Sequence, residues 1–583
     1  MNILIFIVMR RMRVPLLVLL TVYTLTTVGM TLIPGIDDQG KPWTMDFFHA
    51  FYFVSYMGTT IGFGEIPYPF TDAQRMWVTI SLYLTVIAWI YAIGTLLTLI
   101  QDEALQRALV QNRFARAVSN IHEPFFLICG YGDTGRALVN ALEERLLRTV
   151  VIEHKQSKID FLTIENYPVY VPALCANASK PQHLVEAGLN NSHCAGVVAL
   201  TDDNLVNLHI AISTRLLTPK LTVIARVDSH DVAANMDSFG THYLINPFDI
   251  FAGKLHTALH YPDLLLLREC LTNQKQKASC EPLKPPQEGL WVLCGYGRFG
   301  KAIYKRLKQE KKIRLVVIEA CLERTGLPEV ECVSGRGTEA DTLLKAHIDQ
   351  AVGIIAGTDD DVNNLSIIMT AKELNPKLFV VIRQNKTDNQ IIFEAVHANI
   401  IMQPSKLIAN HIRVLLTTPL LVDFMRMAKQ YDNNWSVILI NRLKKLLKST
   451  LPDIWEIKID QETAPAICEA ESTGNKISLE CLQIDPRDRR DHLYCLPLLL
   501  IRGKEKILLP DGSESLGKGD QILWCGKNGS ASWMEWTLRD PSVLTYLSTG
   551  EIISRSYFWK WLQKRITTKE DKKCLTIPHH ATS

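Results

Sequence analysis

The sequence predicts a multidomain chain, in which an α-helical membrane module with a re-entrant loop precedes two α/β Rossmann-type domains with α+β C-terminal lobes. Two stretches, Val14 to Ile36 and Met76 to Ile100, contain no Asp, Glu, Lys or Arg. A G-x-G-x-x-G pattern occurs twice, each time after an apolar strand-like run and before a helix-like one. The 583 residues leave room for roughly three to five units. With 47% hydrophobic and 21% charged residues, wholesale disorder is excluded. The net charge, 63 − 60 = +3, argues against a large basic surface for nucleic acid.

Val14 to Ile33 and Met76 to Ile100 are each long enough for a helix crossing a hydrocarbon core, which needs roughly 20 residues. Arg10, Arg11 and Arg13 precede the first run, but its length and the lack of a small-residue cleavage site predict a retained span rather than a signal peptide. Arg107, Arg113 and Arg116 follow the second, so the positive-inside bias puts both ends of the module, and everything after residue 100, in the cytoplasm. Between the spans, Phe47 to Met57 is apolar but too short to cross, which fits a re-entrant helix surrounded by protein.

That helix runs into Thr59-Thr60-Ile61-Gly62-Phe63-Gly64-Glu65. Gly62 and Gly64 lift the steric limits on a backbone that must turn several carbonyls toward one axis. The segment resembles the pore loop of potassium channels, whose threonine, valine, glycine, tyrosine, glycine filter aligns with Thr60, Ile61, Gly62, Phe63 and Gly64. The resemblance implies a homotetramer in which the backbone carbonyls of Thr60, Ile61, Gly62 and Phe63 and the Thr60 hydroxyl coordinate dehydrated K+. Phe63 stands where tyrosine is usual and Glu65 where aspartate is usual, so a hydroxyl contact behind the filter is expected to be missing. No arginine-rich helix signals voltage sensing. Leu96, Leu97 and Ile100 lie where the inner helices would narrow a water path and are the candidate gate.

After a helical connector, residues 101–119, the chain repeats itself. Phe125 to Cys129 precedes Gly130-Tyr131-Gly132-Asp133-Thr134-Gly135, and Thr149 to Ile152 ends at Glu153. Leu290 to Cys294 precedes Gly295-Tyr296-Gly297-Arg298-Phe299-Gly300, and Arg314 to Ile318 ends at Glu319. Thr201-Asp202-Asp203-Asn204 matches Thr358-Asp359-Asp360-Asp361, and Pro219-Lys220-Leu221 matches Pro376-Lys377-Leu378. A strand, the glycine fingerprint, a helix and an acid about twenty positions on form a dinucleotide-binding half-fold. Pyrophosphate is expected at the helix N-terminus, with Glu153 or Glu319 accepting from a ribose hydroxyl, which favours NAD or an adenine nucleotide (ADP, ATP) over NADP.

The tandem resembles the regulator-of-potassium-conductance domain, the channel relative of nucleotide-binding subunits of bacterial potassium-uptake systems. It implies an eight-domain gating ring beneath a tetrameric pore, with nucleotide or divalent cations as ligands. By the same resemblance, Arg226 and Arg383 end the fifth core strands, where family arginines approach phosphates. Cys175-Ala176-Asn177-Ala178 and Gly335-Arg336-Gly337-Thr338 replace the family's Gly-Asp-Ala segment and remove its carboxylate. Arg298 and Arg336 suit phosphate in the second copy, whereas Asp133 disfavours it in the first. Asp202, Asp203, Asp359, Asp360 and Asp361 are candidate oxygen ligands for Ca2+. Their alternative role is helix capping.

The expected division is a pore at 1–100, the connector at 101–119, a first regulatory domain at 120–280, a second with its lobe at 289–527, and an extension at 528–583. Lys284-Pro285-Pro286 marks the linker between the copies, and Lys569, Lys572, Lys573 and His579-His580 fall in a polar tail. The 13 cysteines show no zinc or disulfide spacing and read as reduced packing thiols. No nucleophile, base and oxyanion site converge in the sequence, so an enzyme is not expected. The expectation is therefore a ligand-gated potassium channel in a prokaryotic inner membrane, with lipid, small ligands and its own copies as partners. The rival classes are an NAD-linked membrane oxidoreductase and a regulator-fused potassium-uptake protein.

Overall fold

The computed structural model describes residues 2–550 apart from 242, 273–280 and 449, so the lysines and histidines of the polar tail lie outside the described residues. The chain forms two compact units, Met1–His122 with Pro172–Leu174, and the remainder.

In the first unit, helices Asn2–Leu32 and Asp72–Ile100 flank a shorter one, Phe47–Gly58. The long helices are apolar enough to cross a membrane, with mean hydropathy of 1.7 over Met9–Leu32 and 1.9 over Asp72–Ile100. The second starts four residues before the uncharged run because Thr71 and Gln74 close a capping box around its first turn. Asp46 caps the short helix by accepting from the His49 amide. Met30, Met45, Phe53, Val54 and Phe70 form the common core. Gly29 is required there: a Cβ would lie 2.2 Å from the Trp77 ring, whose Nε1 donates to the Thr26 carbonyl at 3.2 Å. Arg11 and Asp102 pair at 2.6 Å, tying the start of one long helix to the end of the other.

The second unit holds both Rossmann copies. Each has a six-stranded sheet whose strands lie in the order 3-2-1-4-5-6, the dinucleotide-binding arrangement with a switch point at the first strand. In the second copy all neighbours are parallel, centred on Gly289–Cys294. Its strands are buried on both faces, as their unbroken Leu, Val and Ile runs require.

The copies exchange helices. Pro247–His260, which follows the first sheet, lays Phe248, Phe251, Leu255 and Leu259 on Trp291, Phe299 and Ile303 of the second. Reciprocally, Pro404–Thr417, which follows the second sheet, packs on Asp133–Glu143 of the first. Pro262–Thr272 then joins Pro419–Ala428 and Asn433–Leu447 in one shared core.

Among the described residues an α+β lobe follows the second copy only, where the sequence predicts one for each. Its antiparallel sheet runs Pro452–Lys458, Gln521–Lys527, Cys495–Arg502, Glu505–Leu508. The lobe also continues past residue 527 as helices Ser530–Arg539 and Pro541–Thr549. Met534, Leu538, Leu544 and Leu547 complete the core around Trp524, so this segment is part of the fold rather than an appendage.

Candidate functional sites

The helix Phe47–Gly58 delivers the chain into a turn in which Thr60, Gly62 and Gly64 take φ values of +63°, +66° and +91°. Left-handed residues interspersed along a short segment turn its carbonyls out of strand alternation, which the two glycines allow without a Cβ penalty. The Thr60 and Ile61 amides donate back to Met57 and Tyr56 carbonyls, both at 3.0 Å, so the loop starts from a fixed point. The negative end of the helix dipole faces this start, favourable for a cation.

Tyr56 was invisible to sequence reasoning as anything but an apolar-run residue. Its hydroxyl donates to the Gly64 carbonyl at 2.7 Å, and its ring meets Phe63 edge-on with centroids 5.3 Å apart. The hydroxyl that Phe63 lacks is thus supplied behind the loop by the helix. Glu65 accepts from Arg75 Nε and from the Phe70 amide, both at 2.8 Å, which anchors the far side. Leu96, Leu97 and Ile100 are exposed along the end of Asp72–Ile100.

In both Rossmann copies the glycines divide their work. Gly130 and Gly295 have φ of +103° and +95°, demanded by the turn itself. Gly135 and Gly300 serve packing, since a Cβ would lie 2.1 Å and 2.0 Å from the carbonyl oxygens of Gly130 and Gly295. Gly297 has an ordinary φ of −70°, and a Cβ there would meet nothing within 4 Å. Among the described residues nothing packs against the backbone at 297, so the space beside it is open. Gly132 is similar, with φ of −82° and only Lys158 Nζ near, at 3.4 Å.

The crevices differ in size and charge. The first, 270 Å³, is lined by Gly130, Gly132, Glu153, His154, Lys158, Asp202 and Asp203 among others. The second, 490 Å³, carries Arg298, Lys301, Arg324, Arg336 and Arg383 against Glu319 and Asp359. A polyanion fits the second and meets repulsion in the first. Both expected ribose acids face their own glycine loops: Glu153 accepts from the Tyr131 amide at 2.7 Å and Glu319 from the Tyr296 amide at 2.5 Å. The second oxygen of each is held as well, Glu153 by the Lys155 amide at 3.0 Å and Glu319 by the Cys321 amide at 2.8 Å.

Several sequence-predicted residues take supporting places. Thr134 is buried in its helix, and Phe299 is buried beneath Arg383, whose guanidinium lies 5.6 Å from that ring and 5.1 Å from Phe248. Phe299 therefore orients an arginine rather than lining the crevice. Burial pushes the Arg383 guanidinium down to about 10, leaving it charged at neutral pH. Arg226 is held by Asp202 at 3.2 Å.

The two glycine loops are linked across the copies. Arg298 pairs with Asp228 of the first copy at 2.6 Å, and the Thr387 amide of the second points at Asp133 of the first, 3.5 Å away. Asp228 also accepts from Asn204 at 2.6 Å, one residue from the Asp202–Asp203 pair.

Four of the five aspartates expected as cation ligands are engaged elsewhere, and the fifth, Asp359, lines the second crevice. Asp203 and Asp360 cap helices, Asp361 gathers the amides of Asn385 and Lys386 and the Asn389 side chain, and Asp202 holds Arg226. Among the described residues these clusters bring no three ligand atoms together.

Comparison with known proteins places these features. Residues 126–247 and 291–404 match the TrkA-N domain, and residues 16–102 match the ion-channel domain. The combination defines a class of membrane proteins with tandem Rossmann regulatory modules, in which the TrkA-N domains regulate rather than catalyse. The chain joins an ion-channel domain to two TrkA-N domains and is a multi-pass inner-membrane protein with cytoplasmic regulatory domains. It is similar to potassium channel protein 1 of Methanocaldococcus jannaschii, 36% identical over 103 residues that cover 16% of this chain and 30% of that one. Probable potassium channel protein 2 of the same organism is 26% identical over 140 residues, covering 23% and 41%. The chain thus spans well under half the length of these curated relatives. The solved GsuK channel overlays with a TM-score of 0.48 and 16% identity, covering 92% of this chain and 99% of that one.

Proposed function

We propose that the protein is a potassium channel: four copies surround one pore, the Thr60–Phe63 carbonyls and the Thr60 hydroxyl replace the water of K+, and nucleotide binding to the second Rossmann copy sets the open fraction. The observation that carries this reading is the Thr60–Gly64 loop, with left-handed glycines at 62 and 64 and a Tyr56 brace, set between two apolar helices. The potassium-channel relatives support it. Leu96, Leu97 and Ile100 would form an apolar constriction that closes by dewetting.

In the second crevice Arg298, Arg336 and Arg383 would hold phosphates, Gly297 would let the pyrophosphate approach the backbone, and Glu319 would accept from a ribose hydroxyl. A bound nucleotide supplies the anionic charge that Arg298 otherwise finds in Asp228. Arg298 is central, because its present partner Asp228 belongs to the other copy. Phosphate drawing Arg298 from Asp228 would alter the contact between copies, and differential affinity for the two arrangements would shift the gate. The eight-domain ring and a Ca2+ contribution are further parts of this proposal.

Inside-out patches exposed separately to NAD, ADP and Ca2+ test it. A change in open probability with NAD or ADP is expected, and no response to any of the three overturns ligand gating. Replacing Asp228 with Asn should tighten nucleotide binding by roughly two- to fivefold, the scale of an ion pair whose arginine is solvent-exposed. Weaker binding in that variant would mean that Asp228 positions Arg298 for the ligand instead of competing with it.

A further inference from the structure

One side-chain cluster outside the filter and the crevices brings three metal-ligating atoms together. His256 and His260 lie one turn apart near the end of Pro247–His260, with ring centroids separated by 4.6 Å. Both turn a ring nitrogen to the same oxygen of Glu310, which follows helix Arg298–Leu307 of the other Rossmann copy. His256 Nδ1 is 3.2 Å and His260 Nε2 is 2.8 Å from Glu310 Oε1. All three ligand atoms lie within 4.8 Å of one another, the one such group of three His, Cys, Asp or Glu among the described residues.

We infer that His256, His260 and Glu310 form a site for a borderline divalent transition metal of the Zn2+ or Co2+ type, bridging the two Rossmann copies. Two imidazoles and one carboxylate match that class, whereas Ca2+ requires more oxygen ligands. Ligand atoms on a tetrahedron at ~2.0–2.2 Å from an ion are roughly 3.3 Å apart, close to the two separations to Glu310. Three protein ligands leave a fourth position for water or an incoming group.

Arg306, one turn before Glu310, repels an incoming ion, which sets a limit on affinity. A plain pair of histidine–glutamate hydrogen bonds would use the same geometry without metal, and the experiment must separate the two.

A metal here would join Pro247–His260 to the second copy's glycine-loop helix, the contact through which the copies exchange elements. It is distinct from the proposed filter and nucleotide sites, and its existence does not depend on the channel reading.

The test uses full-length protein in detergent, stripped with chelator and titrated with Co2+ while visible absorption is followed. One Co2+ per chain with the intense spectrum of tetrahedral coordination is expected, with Zn2+ displacing it. His256→Gln combined with His260→Gln, and Glu310→Gln separately, should each weaken Co2+ binding by roughly 100-fold or more while leaving the metal-free melting temperature within a few degrees of wild type. His579→Ala combined with His580→Ala should leave the spectrum unchanged. Failure of wild type to retain Co2+, an unaltered spectrum in the His256/His260 variant, or loss of the spectrum in the tail variant would overturn the site.

Discussion

Replacing Gly62 with Ala is expected to abolish potassium current while leaving the protein folded and in the membrane. Gly62 has φ of +66°, and no neighbouring atom lies within 4 Å of a built Cβ, so the substitution causes no clash within the chain. Its effect is conformational: a left-handed alanine costs ~1–2 kcal/mol, and relief by a backbone flip would swing a carbonyl away from its bearing. In a tetramer the change occurs four times around one axis. Single-channel recording with surface labelling as the expression control checks it. Unchanged selective conductance would remove Gly62 from the filter.

The second large effect separates two glycines three residues apart. Gly300→Ala puts a Cβ 2.0 Å from the Gly295 carbonyl oxygen, and neither helix nor strand can retreat cheaply inside a packed core. Overpacking of this kind costs ~1–3 kcal/mol or more, so the second Rossmann copy should melt earlier and lose ligand binding with its fold. Gly297→Ala meets no protein atom within 4 Å, and its φ of −70° suits alanine. Its melting temperature should stay near wild type while nucleotide affinity falls at least tenfold, ~1.4 kcal/mol. Calorimetric titration with NAD and ADP beside thermal melts distinguishes the two. Equal affinity in Gly297→Ala would show that no ligand approaches the backbone there.

The membrane helices were legible because absence of charge over twenty or more residues is a local property with one physical explanation. The same holds for the duplicated strand–glycine–helix units, whose turn requires glycine at Gly130 and Gly295 whatever surrounds them. The exchange of Pro247–His260 and Pro404–Thr417 was not legible: periodicity says that a helix buries one face, never against which sheet. Phe299 shows the cost of working by motif position, since it supports Arg383 from beneath the crevice. Tyr56 escaped because its function lies in a hydroxyl reaching eight residues along a loop of unusual backbone. The capping roles of Asp203 and Asp360 were not separable from coordination in the sequence, because both use the same carboxylates. His256 and His260 lie one helical turn apart, but Glu310 stands 54 and 50 residues further on in the other copy, and no local spacing joins it to them.

Potassium flux through liposomes containing the purified full-length protein tests the central claim most directly. The account predicts flux that selects K+ over Na+, changes on addition of NAD or ADP to the face bearing the Rossmann domains, and is lost in Gly62→Ala. Absence of selective flux in wild type, together with substrate-dependent conversion of NAD to NADH, would contradict it and identify a membrane oxidoreductase instead.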